Sequence, residues 1–297
     1  MTLRPRRAAA LAAGAALALT LAACGGGEAT SAAGGSEDDP VRIGVVGAAN
    51  PEWTIFEDLA AEEGIAVEIV DFSDYTQPNP ALTDGDLDLN QFQHILYLAQ
   101  YNEADGQDLT PIGATAVYPL AVYSQEYDDV ADIPDGAEIA IPNDVTNQAR
   151  ALFVLEEAGL LTLADDAGTV PTPSDIDEAA STVTVTPVEA NQTVVALDSV
   201  AASVVNNDFV ADAGLTPEDA IFADSAESEG ARPYINIWVA RAEDADNETY
   251  ARLVELYHEQ EVLDAVQETA GGTASFADQD AAELQEILAE VQAGLTE

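Results

Sequence analysis

Residues 41–72 read VRIGVVGAANPEWTIFEDLAAEEGIAVEIVDF, and this stretch decides the fold class. Val41 to Val46 is a short β-branched run, Glu52 to Glu63 carries apolar residues at helical spacing, Gly64 is a stop, and Ile65 to Phe72 is apolar again. Strand, helix and strand in that order predict a βαβ unit of the doubly wound kind.

The alternation continues outward from this unit. A helix is predicted around Asn90 to Tyr101, with Phe92, Ile95, Leu96 and Ala99 on one stripe, followed by an extended stretch from Thr110 to Ser124 broken by Pro119. Ala137 to Ile141 is a second apolar strand and runs into a helix ending at Gly159. Beyond a Pro/Asp/Thr-rich loop, Thr182 to Pro187 alternates as a strand, Val188 to Leu197 reads as a short helix, and Val200 to Val205 is a further apolar run. Tyr234 to Arg241 is the last clear strand, and Asp244 to Thr296 is helical in pattern apart from Gly271-Gly272. Two strand-helix sets, the second followed by a return strand, predict an α/β chain of two lobes joined by crossing segments. The periodicity alone also permits one larger α/β domain.

The first residues read as an address. Arg4, Arg6 and Arg7 form a basic region, Ala8 to Thr20 is apolar, and small residues follow, the layout of a secretory signal. The apolar run is too short and too rich in Ala for a membrane span. The single Cys, Cys24, follows Leu21-Ala22-Ala23 and precedes three Gly. Residues 24–40 otherwise form a polar, flexible tether that would reach on the order of 20 Å.

The chain has 297 residues, 8 basic and 56 acidic, for a formal charge of −48, and no Lys occurs. Nucleic-acid binding is excluded by this balance, because a phosphate-binding surface needs a patch of cations to replace counterions. A hydrophobic content of 47% still allows a substantial core. One Cys and two His rule out a disulfide framework and a zinc site built from Cys and His alone. Once the signal arginines are removed, Arg42, Arg150, Arg232, Arg241 and Arg252 remain, and each needs a reason.

Several motifs are long enough to point to a family. Asp71-Phe72-Ser73-Asp74-Tyr75-Thr76-Gln77-Pro78-Asn79 is followed by Gly85-Asp86-Leu87-Asp88-Leu89-Asn90-Gln91-Phe92-Gln93-His94. Then come Tyr118-Pro119-Leu120, Ile141-Pro142-Asn143-Asp144 with Asn147 and Arg150-Ala151-Leu152, and Tyr234-Ile235-Asn236. In order and spacing these resemble the methionine-binding lipoproteins of the NlpA/MetQ type, the substrate-binding proteins of methionine ABC importers. In the same way Leu21-Ala22-Ala23-Cys24 resembles a lipobox, whose Cys becomes the acylated first residue. Two departures stand out. Thr146-Asn147-Gln148-Ala149 replaces the more usual Ser-Asn-Gly-Gly, and Asn206-Asn207-Asp208-Phe209 only loosely follows Asn-Gly-Asn-Tyr.

The resemblance implies a two-lobe, type II-like periplasmic-binding-protein fold with a ligand cleft between lobes. The expected division is 1–23 signal, 24–40 acylated Cys and tether, 41–119 plus 231–297 lobe 1, and 120–230 lobe 2. It implies no enzyme activity and no cofactor or metal. The implied partners are L-methionine or a close analogue, an importer permease with its ATPase, and the extracytoplasmic face of the membrane through diacylglyceryl-Cys24. D-methionine, a methionine dipeptide or another small apolar amino acid remain open as ligands, as does a surface interaction role without transport.

A free amino acid presents a carboxylate, an ammonium and a side chain, and the candidate residues can be read against those needs. A positive side chain early in a helix, as Arg150 is expected to be, suits a bound anion there, though a salt bridge to one of many acids explains it equally well. Asn147 would share the helix end and face with Arg150, or serve simply as a cap. By resemblance Tyr75, Phe92, His94 and Tyr97 surround the ligand side chain, where rings suit a thioether; ordinary core is the alternative. Because Phe92 and His94 cannot share a helical face, their motif is expected at a helix start or turn. Asn206 and Asn236 are implied contacts from the far lobe and the return segment, their amides able to donate or accept. His258 is expected at the surface. Asp84-x-Asp86-x-Asp88 begins like a calcium loop but lacks its Gly and Glu.

Overall fold

The computed structural model describes residues 34–295; the signal, Cys24 and most of the tether lie outside them. In chain order the strands are β1 (Val41–Val46), β2 (Val67–Phe72), β3 (Leu89–His94), β4 (Thr110–Ala114), β5 (Ala116–Val117) and β6 (Ala121–Tyr123). They continue as β7 (Ala137–Pro142), β8 (Val183–Val188), β9 (Ala202–Val205), β10 (Phe222–Ala223), β11 (Asn236–Ala240) and β12 (Ser275–Phe276). The helices are α1 (Pro51–Glu62), α2 (Pro78–Thr83), α3 (Ile95–Asp105), α4 (Val145–Glu157), α5 (Thr193–Ala196), α6 (Asn207–Val210), α7 (Glu248–Tyr257), α8 (Gln260–Thr269) and α9 (Ala281–Leu295).

Two five-stranded sheets carry the fold, ordered β2-β1-β3-β11-β4 and β10-β6-β9-β7-β8. The two repeat one plan. In the first, β1 pairs in parallel with β2 and β3, and β11 runs antiparallel between β3 and β4. In the second, β7 pairs in parallel with β8 and β9, and β6 runs antiparallel between β9 and β10. The chain passes from one sheet to the other twice, between β4 and β6 and between β10 and β11, and β11 is the return strand expected from the sequence.

Burial explains the sheets. Val41, Ile43 and Val45 of β1 pack with Trp53 and Phe56 of α1, Trp238 of β11, and Tyr250 and Tyr257 of α7. The opposite face gathers Ile95 and Leu98 of α3, Ile237 of β11, and Leu284 and Ile287 of α9. Burying each such side chain contributes about 1.5–3 kcal/mol, which is what holds a chain of this charge together. At Gly113 in β4 a Cβ would collide with Val254, so only glycine lets α7 lie this close. Leu152 and Leu155 of α4 cover Ile139 and Ile141 of β7 in the second sheet.

Two elements differ from their reading: Ser275–Phe276, in a tail read as helical apart from Gly271-Gly272, is the strand β12 paired with β5, and Leu89–His94 departs as well. Leu89–His94 is a strand, not the start of a helix, and every residue of it is buried. Its place between β1 and β11 overrides a pattern that was read at helical spacing. The helix starts only at Ile95, where the His94 side chain caps it by accepting from Tyr97 N at 3.1 Å. Phe92 and His94, two apart on a strand, therefore share a face after all.

Candidate functional site

A small cavity between the two sheets is lined by Tyr75, Phe92, His94, Tyr97, Asn147, Arg150, Asn206 and Asn236, all eight residues singled out from the sequence. The strand ends and crossing segments bring them together. Phe92 and His94 come from β3, Tyr97 from the first turn of α3, and Asn236 from the start of β11. Asn147 and Arg150 come from α4, and Asn206 directly follows β9 at the N-cap position of α6.

The polar network fixes what each group can offer. Asp144 caps α4, its Oδ1 accepting from Asn147 N at 2.9 Å. Asn147 Nδ2 also donates to this carboxylate, at 3.1 and 3.2 Å, so Asn147 Oδ1 is left to accept, and Asn206 Nδ2 donates to it at 2.9 Å. Asn206 Oδ1 is consequently a buried acceptor with no partner. Burial raises the Asp144 carboxyl above its ordinary value, against the pull of the hydrogen bonds from Asn147 and Thr146.

His94 supplies the complementary group. Its Nδ1 accepts from Tyr97 N, which places the ring proton on Nε2, and Nε2 is buried without a partner. Burial, with the positive charge of Arg150 beside it, pushes the imidazole down to about 3, so the ring is neutral. Asn147 lies near enough to oppose this shift without reaching hydrogen-bond geometry to Nε2.

Arg150 sits in the second turn of α4, not the first, and is 6% exposed. Its Nε donates to Asp224 Oδ2 at 2.8 Å, and Nη2 donates to Asp224 Oδ1 at 3.1 Å and to Tyr118 O at 2.9 Å. The guanidinium stacks over the Tyr234 ring, 4.3 Å from its centre. Both an ion pair and a place in the cleft are thus realised. Nη1 has no hydrogen-bond partner among the described residues.

The apolar wall is a ring cluster. Tyr75, Phe92 and Tyr97 lie 5.8–6.2 Å apart between centres, and Tyr75 also meets Phe209 of α6 at 5.1 Å. Tyr97 Oη donates to Tyr75 O at 2.9 Å, and Tyr75 Oη donates across the cleft to Asp208 Oδ2 at 2.7 Å. A second link across the cleft runs from Asn191 Nδ2 to Ser73 O at 2.9 Å.

A larger cavity of about 420 Å³ adjoins the small one, and Phe92, Tyr118, Pro119, Asn207, Asp208 and Asn236 line both. Reasoning from sequence missed Asp208, Asp224 and Tyr234 as site residues. Tyr234 and Asp208 stood inside the quoted motifs, whereas nothing local marks Asp224. His258 is half-buried, its Nε2 2.9 Å from Ala114 O, and not the surface residue expected. Asp88 of the calcium-like run is taken up by Arg42 and Arg241. Cys24 lies outside the described residues.

Comparison with known proteins agrees with this architecture. A family model described as NlpA lipoprotein matches residues 41–291. The D-methionine-binding lipoprotein MetQ of Salmonella typhimurium is 38% identical over 245 residues, which are 80% of this chain and 89% of that protein. The substrate-binding protein of a methionine transporter from Streptococcus pneumoniae has a TM-score of 0.74 at 34% identity, covering 80% of this chain and 95% of that one. A nutrient-binding protein from Burkholderia cenocepacia, solved bound to methionine, has a TM-score of 0.74 at 34% identity, covering 80% and 99%. The fold is that of two-lobe substrate-binding proteins.

Proposed function

The chain belongs to the NlpA lipoprotein family, and on that premise we propose that it captures methionine between its lobes, outside the cytoplasm, and delivers it to an ABC importer. Cys24 is the acylated anchor, and residues 24–40 are the tether. Lobe 1 comprises 41–119 with 231–297 and lobe 2 comprises 120–230, a division supported by which strands share a sheet.

One observation carries the reading. A buried donor without a partner, His94 Nε2, and a buried acceptor without a partner, Asn206 Oδ1, line one cavity beside Arg150 and three aromatic rings. Leaving such groups unmatched costs about 1–3 kcal/mol each, a cost that a zwitterion offsets by binding. The ligand carboxylate takes Arg150 Nη1 and His94 Nε2–H. Its ammonium takes Asn206 Oδ1, with Asn236 beside it, and its thioether packs on Tyr75, Phe92 and Tyr97. Asn147 holds Asn206 in the orientation that presents oxygen.

Thermal melting of the mature chain, unfolded and refolded to strip ligand, tests this against L-methionine, D-methionine, methionine dipeptides, glutamine and leucine. A ligand at about 100 times its Kd adds about 2.7 kcal/mol, a shift of several degrees. A shift with L-methionine that disappears in Arg150→Ala is the expected result. A cooperative melt that none of these ligands moves would reject the reading.

A further inference from the structure

Asp208 places a carboxylate at the cleft, two residues after Asn206. It lines both cavities. Oδ2 accepts from Tyr75 Oη at 2.7 Å and Oδ1 accepts from Asn207 Nδ2 at 2.8 Å, which leaves each oxygen a lone pair for another donor. Two residues earlier Asn206 Oδ1, in a side chain only 7% exposed, faces the same small cavity without a partner. An ionised carboxylate and an orphaned carbonyl lining one cavity offer only acceptors, and a group with several N–H donors and a positive charge suits both.

The charges around the cleft agree. Arg150 is balanced by Asp224, and His94 is held neutral. The ionisable groups acting on Asp208 or acted on by it are Tyr75 before α2, Glu52 of α1, Tyr118 of the first crossing segment, and Tyr257 of α7. The three phenols are all raised above their ordinary value and stay neutral, and Glu52 is itself raised by burial. Asp144 adds a further negative group through its cap on α4. The site without ligand therefore has an excess of negative charge.

We propose that Asp208 is the ammonium anchor of this site and makes a charged α-amino group a requirement for binding. This rests on the amino-acid reading above and narrows it to ligands with a free cationic amino group. A pH dependence follows. Burial, reinforced by the charge of Glu52 and opposed by the Tyr75 hydrogen bond, raises the Asp208 carboxyl to about 6. Protonation removes the charge that holds the ammonium, so affinity falls as pH drops from 7 to 5, by about tenfold for a group titrating near 6.

The experiment is calorimetric titration of the mature chain at pH 5, 6, 7 and 8 with L-methionine, leucine, glutamine and 2-hydroxy-4-(methylthio)butanoate. The last replaces ammonium by hydroxyl at nearly the same size. Wild type is compared with Asp208→Asn, which keeps an acceptor for Tyr75, with Asp208→Glu, which keeps the charge, and with Glu52→Gln; thermal melts establish that each folds. In wild type the affinity for L-methionine should fall about tenfold from pH 7 to 5, and the hydroxy acid should bind about 100-fold more weakly. Asp208→Asn should flatten the pH profile and shrink that gap about tenfold. Asp208→Glu should retain the slope, and Glu52→Gln should move its midpoint to lower pH. A slope in Asp208→Asn equal to wild type, or equal binding of the hydroxy acid, overturns the proposal. If methionine does not bind but leucine or glutamine shows these signatures, the methionine assignment falls and the anchor stands. Binding by none of them overturns both.

Discussion

Replacing Asp224 with Ala strands Arg150. In the folded chain Asp224 accepts from Arg150 Nε at 2.8 Å and Nη2 at 3.1 Å, and from Leu120 N at 2.8 Å. Only 8% of the Arg150 side chain and 19% of the Asp224 side chain are exposed, so water substitutes poorly for the lost carboxylate. Removing one partner of a fully buried pair costs about 3–5 kcal/mol, and the partial exposure of Asp224 puts this case near the lower end, at about 3 kcal/mol. For a domain of this size each kcal/mol moves the melting temperature by about 2–4 °C, so Asp224→Ala should melt about 6–12 °C below wild type. Two further outcomes belong to the same reasoning. Adding Arg150→Met should recover most of the loss, because an apolar side chain needs no counter-ion. L-methionine should raise the melting temperature of Asp224→Ala by more than that of wild type, since its carboxylate is then the guanidinium's main anion. Circular dichroism melts at pH 7, with and without ligand, read all three. A single variant melting within about 2 °C of wild type would refute the argument that this pair supports the fold.

Other perturbations reach different parts of the structure. His94 titrates at about 3 when folded and near 6.5 when unfolded, so the unfolded chain takes up the proton first as pH falls. Its contribution is complete above about pH 6.5 and is lost toward pH 3; the stability gap between wild type and His94→Gln should narrow over that window in urea titrations, and a constant gap would contradict the assignment. In nitrogen-15 NMR, His94 should remain neutral with its proton on Nε2 at pH 5, whereas a protonated ring there would reject the capping geometry. Tyr75→Phe keeps the ring contacts with Phe92, Tyr97 and Phe209 and removes only the bond to Asp208. A hydrogen bond to a charged group contributes about 1.5–3 kcal/mol, so methionine affinity should weaken by about tenfold or more through faster release, as read by stopped-flow fluorescence. A chain at −48 repels itself, and salt shortens the screening length from about 10 Å at 0.1 M to about 3 Å at 1 M. The melting temperature should therefore rise across that range, and a flat or falling response would show that the surface charge is not a destabilising load.

The fold was largely legible because periodicity and punctuation coincide. β1, α1 and β2 appear within a residue or two of where the apolar runs and Gly64 place them, and β7 leads into α4 as read. Leu89–His94 was not legible, since spacing that fits one stripe of a helix also fits a strand, and only pairing on both edges decides between them. The cleft shows the same division. Its members lie in motifs of uncommon residues, but what each offers depends on partners distant in sequence. Asn206 presents oxygen because Asn147, 59 residues away, accepts its amide. Arg150 finds Asp224 across 74 residues and among 56 acids, with no local signal to choose it. Asp208 was visible only as a departure from a pattern, and it took the placement of Tyr75 opposite to give it a use.

Tyr118 and Leu120 flank Pro119 in the segment that first carries the chain between sheets, and both are tied to the Arg150–Asp224 pair. A turning body moves least near its axle. Bonds gathered there would persist through a rotation that pulled apart Tyr75 and Asp208, or Ser73 and Asn191, which reach across the gap itself. Arg150, Asn206 and Asp208 all stand on the second-sheet side, so an arriving solute could take them together and meet His94 and Tyr75 of the other side only as the gap narrows. Both charged ends would then be gripped from one side of the gap, and the rings of the other side would close over what remains.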